Sequence, residues 1–230
     1  MCFSASASFT AAAILGATGS LTLAASIRRQ SSLGEILLAA FPLVFAAQQA
    51  MEGLVWLGIY GMLSPALMTF GTYGFVLTAY AFWPIMGPVV GWLLESPGSR
   101  RNLFAWLIVG GVVIAGYLSY AAISHPQTPV AMADWGGHIW YMHDFTYIPH
   151  IEMLYFFTAC SALVLSSNRT AQCFAIVLTG AFMLTMLGFN INVVPSVWCF
   201  FAAAASLVIV VGVLVPTPEP EAVPERIRWW

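Results

Sequence analysis

The sequence predicts an all-α protein that crosses a membrane seven times, with its N-terminus outside the cell and its C-terminus in the cytoplasm. Charged residues make up only 7% of the 230 residues, far below the roughly 25% of a soluble domain. Apolar residues make up 60% of the chain, and they cluster in runs close to the ~20 residues that a helix needs to span a bilayer. All seven basic residues are arginines, and they occur only in alternate segments between these runs.

Each apolar run predicts one spanning helix. The runs are Ser8–Ile27, Ile36–Tyr60, Pro65–Leu94, Leu103–Ile123, Pro149–Leu165, Gln172–Phe189 and Val197–Val215. The third run is long enough for two short helices, but Pro84 and Pro88 are its only breaks. Proline removes one backbone hydrogen bond and often kinks a helix, so we predict a single kinked span here.

The arginines predict the orientation of the chain. They are Arg28, Arg29, Arg100, Arg101, Arg169, Arg226 and Arg228. Loops rich in arginine mark the cytoplasmic side of a bilayer. Residues 1–215 are therefore expected to form a seven-helix transmembrane domain, with an outer loop at 124–148 between helices four and five. Residues 216–230 are expected to form a cytoplasmic tail rich in proline and glutamate, and the protein is expected in the inner (plasma) membrane of a bacterium.

Glu52 lies inside the second apolar run. A carboxylate at membrane depth costs about 2.5–3.5 kcal/mol on insertion scales and usually faces the bundle interior or a cavity. Gln48, Gln49 and Trp56 lie three or four residues away on the same helix face. We therefore predict that Glu52 is catalytic, as a proton acceptor or ligand anchor, and that the other three bind a ligand. The structural alternative is a hydrogen-bonded clamp in which Glu52 and the glutamines join neighbouring helices.

Three of the four histidines lie close together, in the outer loop and at the start of the fifth span. His138, His143 and His150, together with Glu152, predict a metal site, because histidine is the commonest metal ligand and a carboxylate can coordinate or orient the ring. Cys2 falls on the same side and adds a soft ligand, which suits zinc or copper. Two alternatives remain open. In the first, the histidines are only interfacial polar residues; in the second, Glu152 only complements the positive end of its helix.

Some classes of protein are excluded by composition. The chain has no lysine and so cannot form the Schiff base of a retinal protein. It also has no basic patch that would bind nucleic acid. Cys2 and Cys199 both fall on the predicted outer side, where a disulfide between them is an alternative to a metal ligand.

Two segments resemble a known family. The chain reads Met-Cys-Phe-Ser-Ala-x-Ala-Ser-Phe from Met1 to Phe9, and Gln-Gln-x-x-Glu-Gly-x-x-Trp from Gln48 to Trp56. Both segments are similar to a family of uncharacterised bacterial integral membrane proteins that begin in this way. The resemblance covers the first two spans. It implies no activity, but it implies that the Cys2 end and the Glu52 face belong to one feature.

These patterns predict an outward-facing polar site that binds a metal ion or a small ligand, with metal-assisted chemistry as an extension. Glu52 and the glutamines would form its lower tier, and the histidines its upper tier. Two other functions remain open: a non-catalytic accessory subunit of a larger membrane complex, and a small carrier coupled to protons. The sequence does not decide whether the protein is an enzyme.

Overall fold

The protein is predominantly helical in a computed structural model, which describes residues 4–132 and 137–215. The predicted ligand Cys2, its alternative disulfide with Cys199, and the predicted tail at 216–230 therefore lie outside the described residues. The elements, in chain order, are α1 (Ala5–Arg28), α2 (Leu33–Ile59), α3 (Pro65–Leu77), a π-helical segment (Thr78–Phe82), α4 (Trp83–Leu94), α5 (Ser99–Ser124), β1 (Thr128–Met132), β2 (His138–Met142), α6 (Ile151–Val164), α7 (Arg169–Gly188), a 3₁₀ turn (Ile191–Val193), α8 (Val194–Ala205) and α9 (Leu207–Leu214).

Among residues 4–132 and 137–215, six helical segments are long and apolar enough to cross a membrane, whereas seven were predicted. The difference is α6, which has 14 residues and spans only about 21 Å at ~1.5 Å per residue. The predicted fifth run began at Pro149, but His150 adopts a left-handed backbone conformation with φ 61°. That conformation is incompatible with a continuing right-handed helix, so α6 begins only at Ile151.

The third apolar run is one continuous helical segment from Pro65 to Leu94, as predicted. Its irregular part is the π-helical segment just before Pro84, while Pro88 lies inside α4. In a π-helix each N–H bonds to the carbonyl five residues earlier. Pro84 has no N–H, so that bond to the carbonyl of Ala79 cannot form. The carbonyl oxygen of Ala79 can therefore accept from a donor on another helix.

Glycines allow α4 to pack closely against two neighbours. A Cβ atom at Gly87 would overlap the carbonyl oxygen of Ala159 in α6, and one at Gly111 in α5 would overlap the carbonyl oxygen of Pro84. Close backbone approach at small residues is the usual basis of helix packing in membranes. The short helix α6 is thus held against α4, and α4 against α5.

Many large apolar side chains point away from the protein. Leu187 is 88% exposed and Trp106 is 73% exposed, which would be unfavourable for so many residues in water. Hydrocarbon is as apolar as these side chains, so exposure of this kind suits a helix surface that faces lipid. The interior of the bundle instead holds aromatic and small residues together with a few buried polar groups.

One end of the bundle carries the described arginines, and we call it the arginine end. Arg29 Nη1 donates to the carbonyl oxygen of Val213 at 2.6 Å. Glu95 Oε1 accepts from Ser166 Oγ at 3.0 Å and from the backbone N–H of Ser167 at 2.5 Å, and Arg100 lies 3.4 Å from its other oxygen. Burial alone would raise the pKa of Glu95, but these hydrogen bonds and Arg100 together lower it below its usual value.

The opposite end is covered by a β-hairpin, which the sequence analysis did not predict. Strands β1 and β2 pair antiparallel, with Thr128 opposite Met142 and Ala131 opposite Ile139. Ile139 and Tyr141 are buried and pack against residues of α2 and α3. We call this the hairpin end. The sequence pattern of the two strands was weak because the strands are short and lie within a region of mixed aromatic and polar residues.

Candidate ligand-binding cavity at the hairpin end

A cavity of about 480 Å³ opens at the hairpin end. This volume lies within the range of roughly 300–1,000 Å³ that is usual for small-molecule sites. Its walls come from the π-helical segment, β2, the segment after β2, and the first turns of α6 and α8. Eight phenylalanine, tyrosine and tryptophan rings of the described residues line it: Tyr80, Trp140, Tyr141, Phe145, Tyr147, Tyr155, Phe182 and Trp198.

Three of the predicted site residues line this cavity: His143, His150 and Glu152. His150 Nδ1 lies 3.8 Å from Glu152 Oε1, and the side chain of His150 is 82% exposed. The pair therefore forms part of the mouth of the cavity. Glu152 also lies in the first turn of α6, where the positive end of the helix favours its charge. This position agrees with the alternative role considered for Glu152 in the sequence analysis.

His143 lies deeper than His150. Its ring meets the ring of Tyr147 edge to face, with 4.9 Å between centroids. Burial lowers the pKa of His143 below its usual value, despite the opposing influence of a backbone hydrogen bond at Phe145 and of Asp144. The neutral ring is therefore favoured near pH 7.

His138 is in a different place. It is the first residue of β2 and is fully buried; its ring meets that of Phe189 edge to face at 5.1 Å, and it does not line the cavity. Burial lowers the pKa of His138 to about 4.

Among residues 4–132 and 137–215, no three histidine, cysteine, aspartate or glutamate side chains are grouped so that they could hold a metal ion. The predicted metal site is therefore not supported. The physical reason is the hairpin, which buries His138 while the start of α6 leaves His150 exposed. We predicted that His138 and His150 lie together because they are close in the sequence, but the fold separates them.

The second group of predicted residues forms a buried layer beneath the cavity. Gln48 Nε2 donates to Cys199 Sγ at 3.3 Å, and Trp83 Nε1 donates to Gln48 Oε1 at 2.9 Å. Ser196 Oγ donates to Glu52 Oε1 at 2.5 Å. These contacts join α2 to α4 and α8, in the manner of the clamp considered above.

This buried layer touches the cavity at one residue. Cys199 lines the cavity and is held from below by Gln48, whereas Gln48, Gln49, Glu52 and Trp56 do not line it. All four are buried. Within the described part of the chain, neither polar atom of the Gln49 side chain, nor the indole N–H of Trp56, has a hydrogen-bond partner. Of the residues predicted for the two tiers, His143, His150 and Glu152 line the space that a ligand could enter.

Several lining residues were missed by sequence reasoning. Tyr155 O–H donates to the carbonyl oxygen of Ala79 at 2.6 Å, and Ala79 is the residue that Pro84 leaves without its π-helical partner. Tyr80 follows Ala79 and, like Tyr147, lines the cavity. Pro84 was the available signal, because a proline inside an apolar run frees a carbonyl that some side chain must satisfy. The sequence did not show which side chain that would be.

The fold and the cavity define a class, a multi-pass helical membrane protein with a small-molecule-sized cavity at one end. The chain belongs to DUF6629, a family of unknown function whose model matches residues 1–222. This agrees with the resemblance to an uncharacterised family. A search of curated proteins and a search of solved structures each found no match.

Proposed function

We propose that this protein binds a small organic ligand in the cavity at the hairpin end, on the outer side of a bacterial inner membrane. The observation that carries the proposal is the cavity itself, with its volume, its aromatic walls, the polar pair His150 and Glu152 at its mouth, and His143 deeper inside. Predominantly apolar pockets with a few polar groups are the usual form of ligand sites.

The distribution of arginines supports the orientation. The described arginines lie at the arginine end, opposite the cavity, and arginine-rich segments mark the cytoplasmic side. With the N-terminus outside, the cavity opens outward. Ligand binding from the outer side then needs no passage across the bilayer.

The proposed ligand is organic because the described residues do not group three metal ligands at the cavity. In this proposal Glu52 does not contact the ligand. Its hydrogen bond with Ser196, like that between Gln48 and Cys199, holds α8 in place, and α8 supplies Trp198 and Cys199 to the wall.

The orientation is tested with reporters. A reporter inserted near Gln127 should behave as external, and a reporter fused after Trp230 should behave as cytoplasmic. The reverse pattern would place the cavity on the inner side and contradict the proposal.

Binding is tested with a pair of matched variants. Ile148 lines the cavity and is 47% exposed, whereas Ile123 in α5 is 65% exposed and does not line it. A small-molecule library is screened for compounds that raise the unfolding temperature of the purified protein. Ile148→Trp should abolish the effect of the hits, and Ile123→Trp should leave it intact. If both variants respond alike, the compounds do not bind in the cavity. If the protein instead purifies in a larger complex that covers the hairpin end, the accessory-subunit function replaces this one.

A further inference from the structure

The short helix α6 determines where the cavity opens. Helices α6 and α7 pack against each other and are joined at the arginine end by the short connection 165–168, so their ends are level there. Helix α7 has 20 residues and α6 has 14, which makes α6 about 9 Å shorter at ~1.5 Å per residue. This difference falls at the hairpin end, where the cavity lies beside the first turn of α6.

The opening therefore lies below the outer surface of the bilayer. Helix α7 is about as long as the hydrocarbon core is thick, roughly 30 Å, so α6 begins about 9 Å inside that core. The gap above α6 is covered by residues 143–150, which form neither helix nor strand. This segment contributes Ile148 and Pro149 to the cavity wall.

The surface around the opening is apolar. Ile148 and Ile191 both line the cavity and are exposed. Leu154, near the start of α6, and Leu187, near the end of α7, are exposed as well. Exposed apolar side chains grouped in this way are unfavourable in water but suit contact with lipid. The rim of the opening is thus suited to contact with acyl chains.

The polar groups beside the opening agree with this depth. Backbone groups that face hydrocarbon need a hydrogen-bond partner within the protein. The N–H of Ile148 donates to Tyr117 Oη at 2.9 Å, and Pro149 has no N–H. His150 and Glu152 lie 3.8 Å apart, and ionisable groups at membrane depth usually pair with one another in this way.

We propose that the cavity opens sideways into the outer leaflet and takes its ligand from the lipid. This inference rests on the proposed function and narrows the ligand to an amphiphile, a molecule that dissolves in the bilayer and has an apolar body and a polar end. The apolar body lies among the aromatic rings of the cavity. The polar end lies at the mouth, beside His150, Glu152 and Asn192.

A lipid-soluble photoreactive probe tests whether molecules pass from the bilayer into the cavity. 3-(Trifluoromethyl)-3-phenyldiazirine is added to the full chain in lipid nanodiscs, and labelled residues are identified by mass spectrometry after illumination. Leu187 should be labelled because it is exposed to lipid. Phe182 is buried but lines the cavity, so it should be labelled too, whereas Phe104 is buried away from the cavity and should not be. Labelling of Leu187 without Phe182 would overturn the inference.

A matched pair of variants assigns the route to the opening. Ile148→Trp narrows the opening and should reduce the labelling of Phe182 to the level of Phe104, while the labelling of Leu187 stays unchanged. Ile123→Trp, away from the cavity, should change neither. If the labelling of Phe182 survives Ile148→Trp, the probe reaches the cavity by another route and the inference is wrong.

Spin labels measure the depth of the opening. A nitroxide is attached at Ile148→Cys or Ile191→Cys in a chain whose own cysteines are replaced by alanine. Its collisions with oxygen, which concentrates in lipid, are compared with its collisions with a water-soluble nickel complex. Both labels should behave like one at Val112→Cys, exposed in the middle of α5, and unlike one at Ser96→Cys, exposed at the arginine end. Access to nickel equal to that at Ser96→Cys would show an opening to water and overturn the inference. If the cysteine-free chain does not fold, photolabelling of the wild type still decides the question.

The outcomes separate this inference from the proposed function. If the library screen finds water-soluble compounds that are sensitive to Ile148→Trp, and Phe182 is not labelled from the lipid, the cavity is a binding site but the inference is wrong. If the screen finds no sensitive compound and Phe182 stays unlabelled, the proposed function itself fails.

Discussion

Replacing Tyr155 with phenylalanine tests how the π-helical segment is held. Tyr155 is 8% exposed, and its hydroxyl donates to the carbonyl oxygen of Ala79 at 2.6 Å. Tyr155→Phe keeps the ring but leaves this carbonyl without the tyrosine donor, and Pro84 cannot supply its π-helical bond. An unsatisfied buried acceptor costs about 1–3 kcal/mol. At ~2 kcal/mol, the unfolding temperature should fall by about 4–8 °C for a chain of this size.

The measurement is thermal unfolding of the purified protein in one detergent, followed by circular dichroism. Tyr120→Phe is the matched control, because Tyr120 in α5 is 63% exposed, and its loss of a hydroxyl should change stability by less than ~0.5 kcal/mol. Adding Pro84→Ala to Tyr155→Phe restores an N–H at position 84. The double variant should then be more stable than the sum of the single effects predicts. Equal unfolding temperatures for Tyr155→Phe and Tyr120→Phe would refute the reasoning.

Two further predictions concern buried titratable groups at the two ends of the bundle. Burial lowers the pKa of His138 to about 4 from its ordinary 6.5. The unfolded chain therefore binds the proton more readily, and stability should fall by up to about 3 kcal/mol as the pH drops from 6.5 to 4. His138→Gln should flatten this part of the curve of stability against pH; an unchanged curve would contradict the assignment. At the arginine end, the pKa of Glu95 is lowered. The stabilisation that its carboxylate provides is therefore fully present above the pKa of Glu95 in the unfolded state, and it is lost as the pH falls through the pKa of Glu95 in the folded state. Glu95→Gln should cost roughly 1–2 kcal/mol at pH 7, because charge-assisted hydrogen bonds become neutral ones, and this difference from the wild type should shrink in acid; a difference independent of pH would contradict it.

The helices could be predicted from the sequence because their cause is local. A run of apolar residues without charge must form a helix in lipid, since every backbone group has to be satisfied within the segment. This reasoning located the six long apolar helical segments of the described residues and correctly kept Pro65–Leu94 as one. It failed at α6, where the left-handed residue His150 shortens the helix, because apolar composition carries no information about the backbone conformation at one position.

The site was harder to predict because its causes are not local. His143, His150 and Glu152 line one cavity, and all three border the start of one helix, so their proximity follows from the sequence. His138 was placed with them by its position in the chain, but the register of the hairpin buries it against Phe189. Trp198 is separated from these residues by α7, and no spacing in the sequence relates an indole in α8 to a cavity formed largely by α6 and the hairpin.

Glu52 shows how burial and function can be confused in a membrane sequence. A carboxylate in an apolar run must be satisfied by some polar partner, and this requirement is the same whether the partner is a substrate or another helix. In the structure one partner is Ser196, and Gln48 one turn earlier binds Cys199, so both residues of α2 contact α8. Cys199 is next to Trp198 in the chain, and both line the cavity. The polar residues that the sequence marked as a site are therefore connected to the cavity through the position of α8. Changes at Glu52 should accordingly act on binding by moving Trp198, without removing any contact to the ligand.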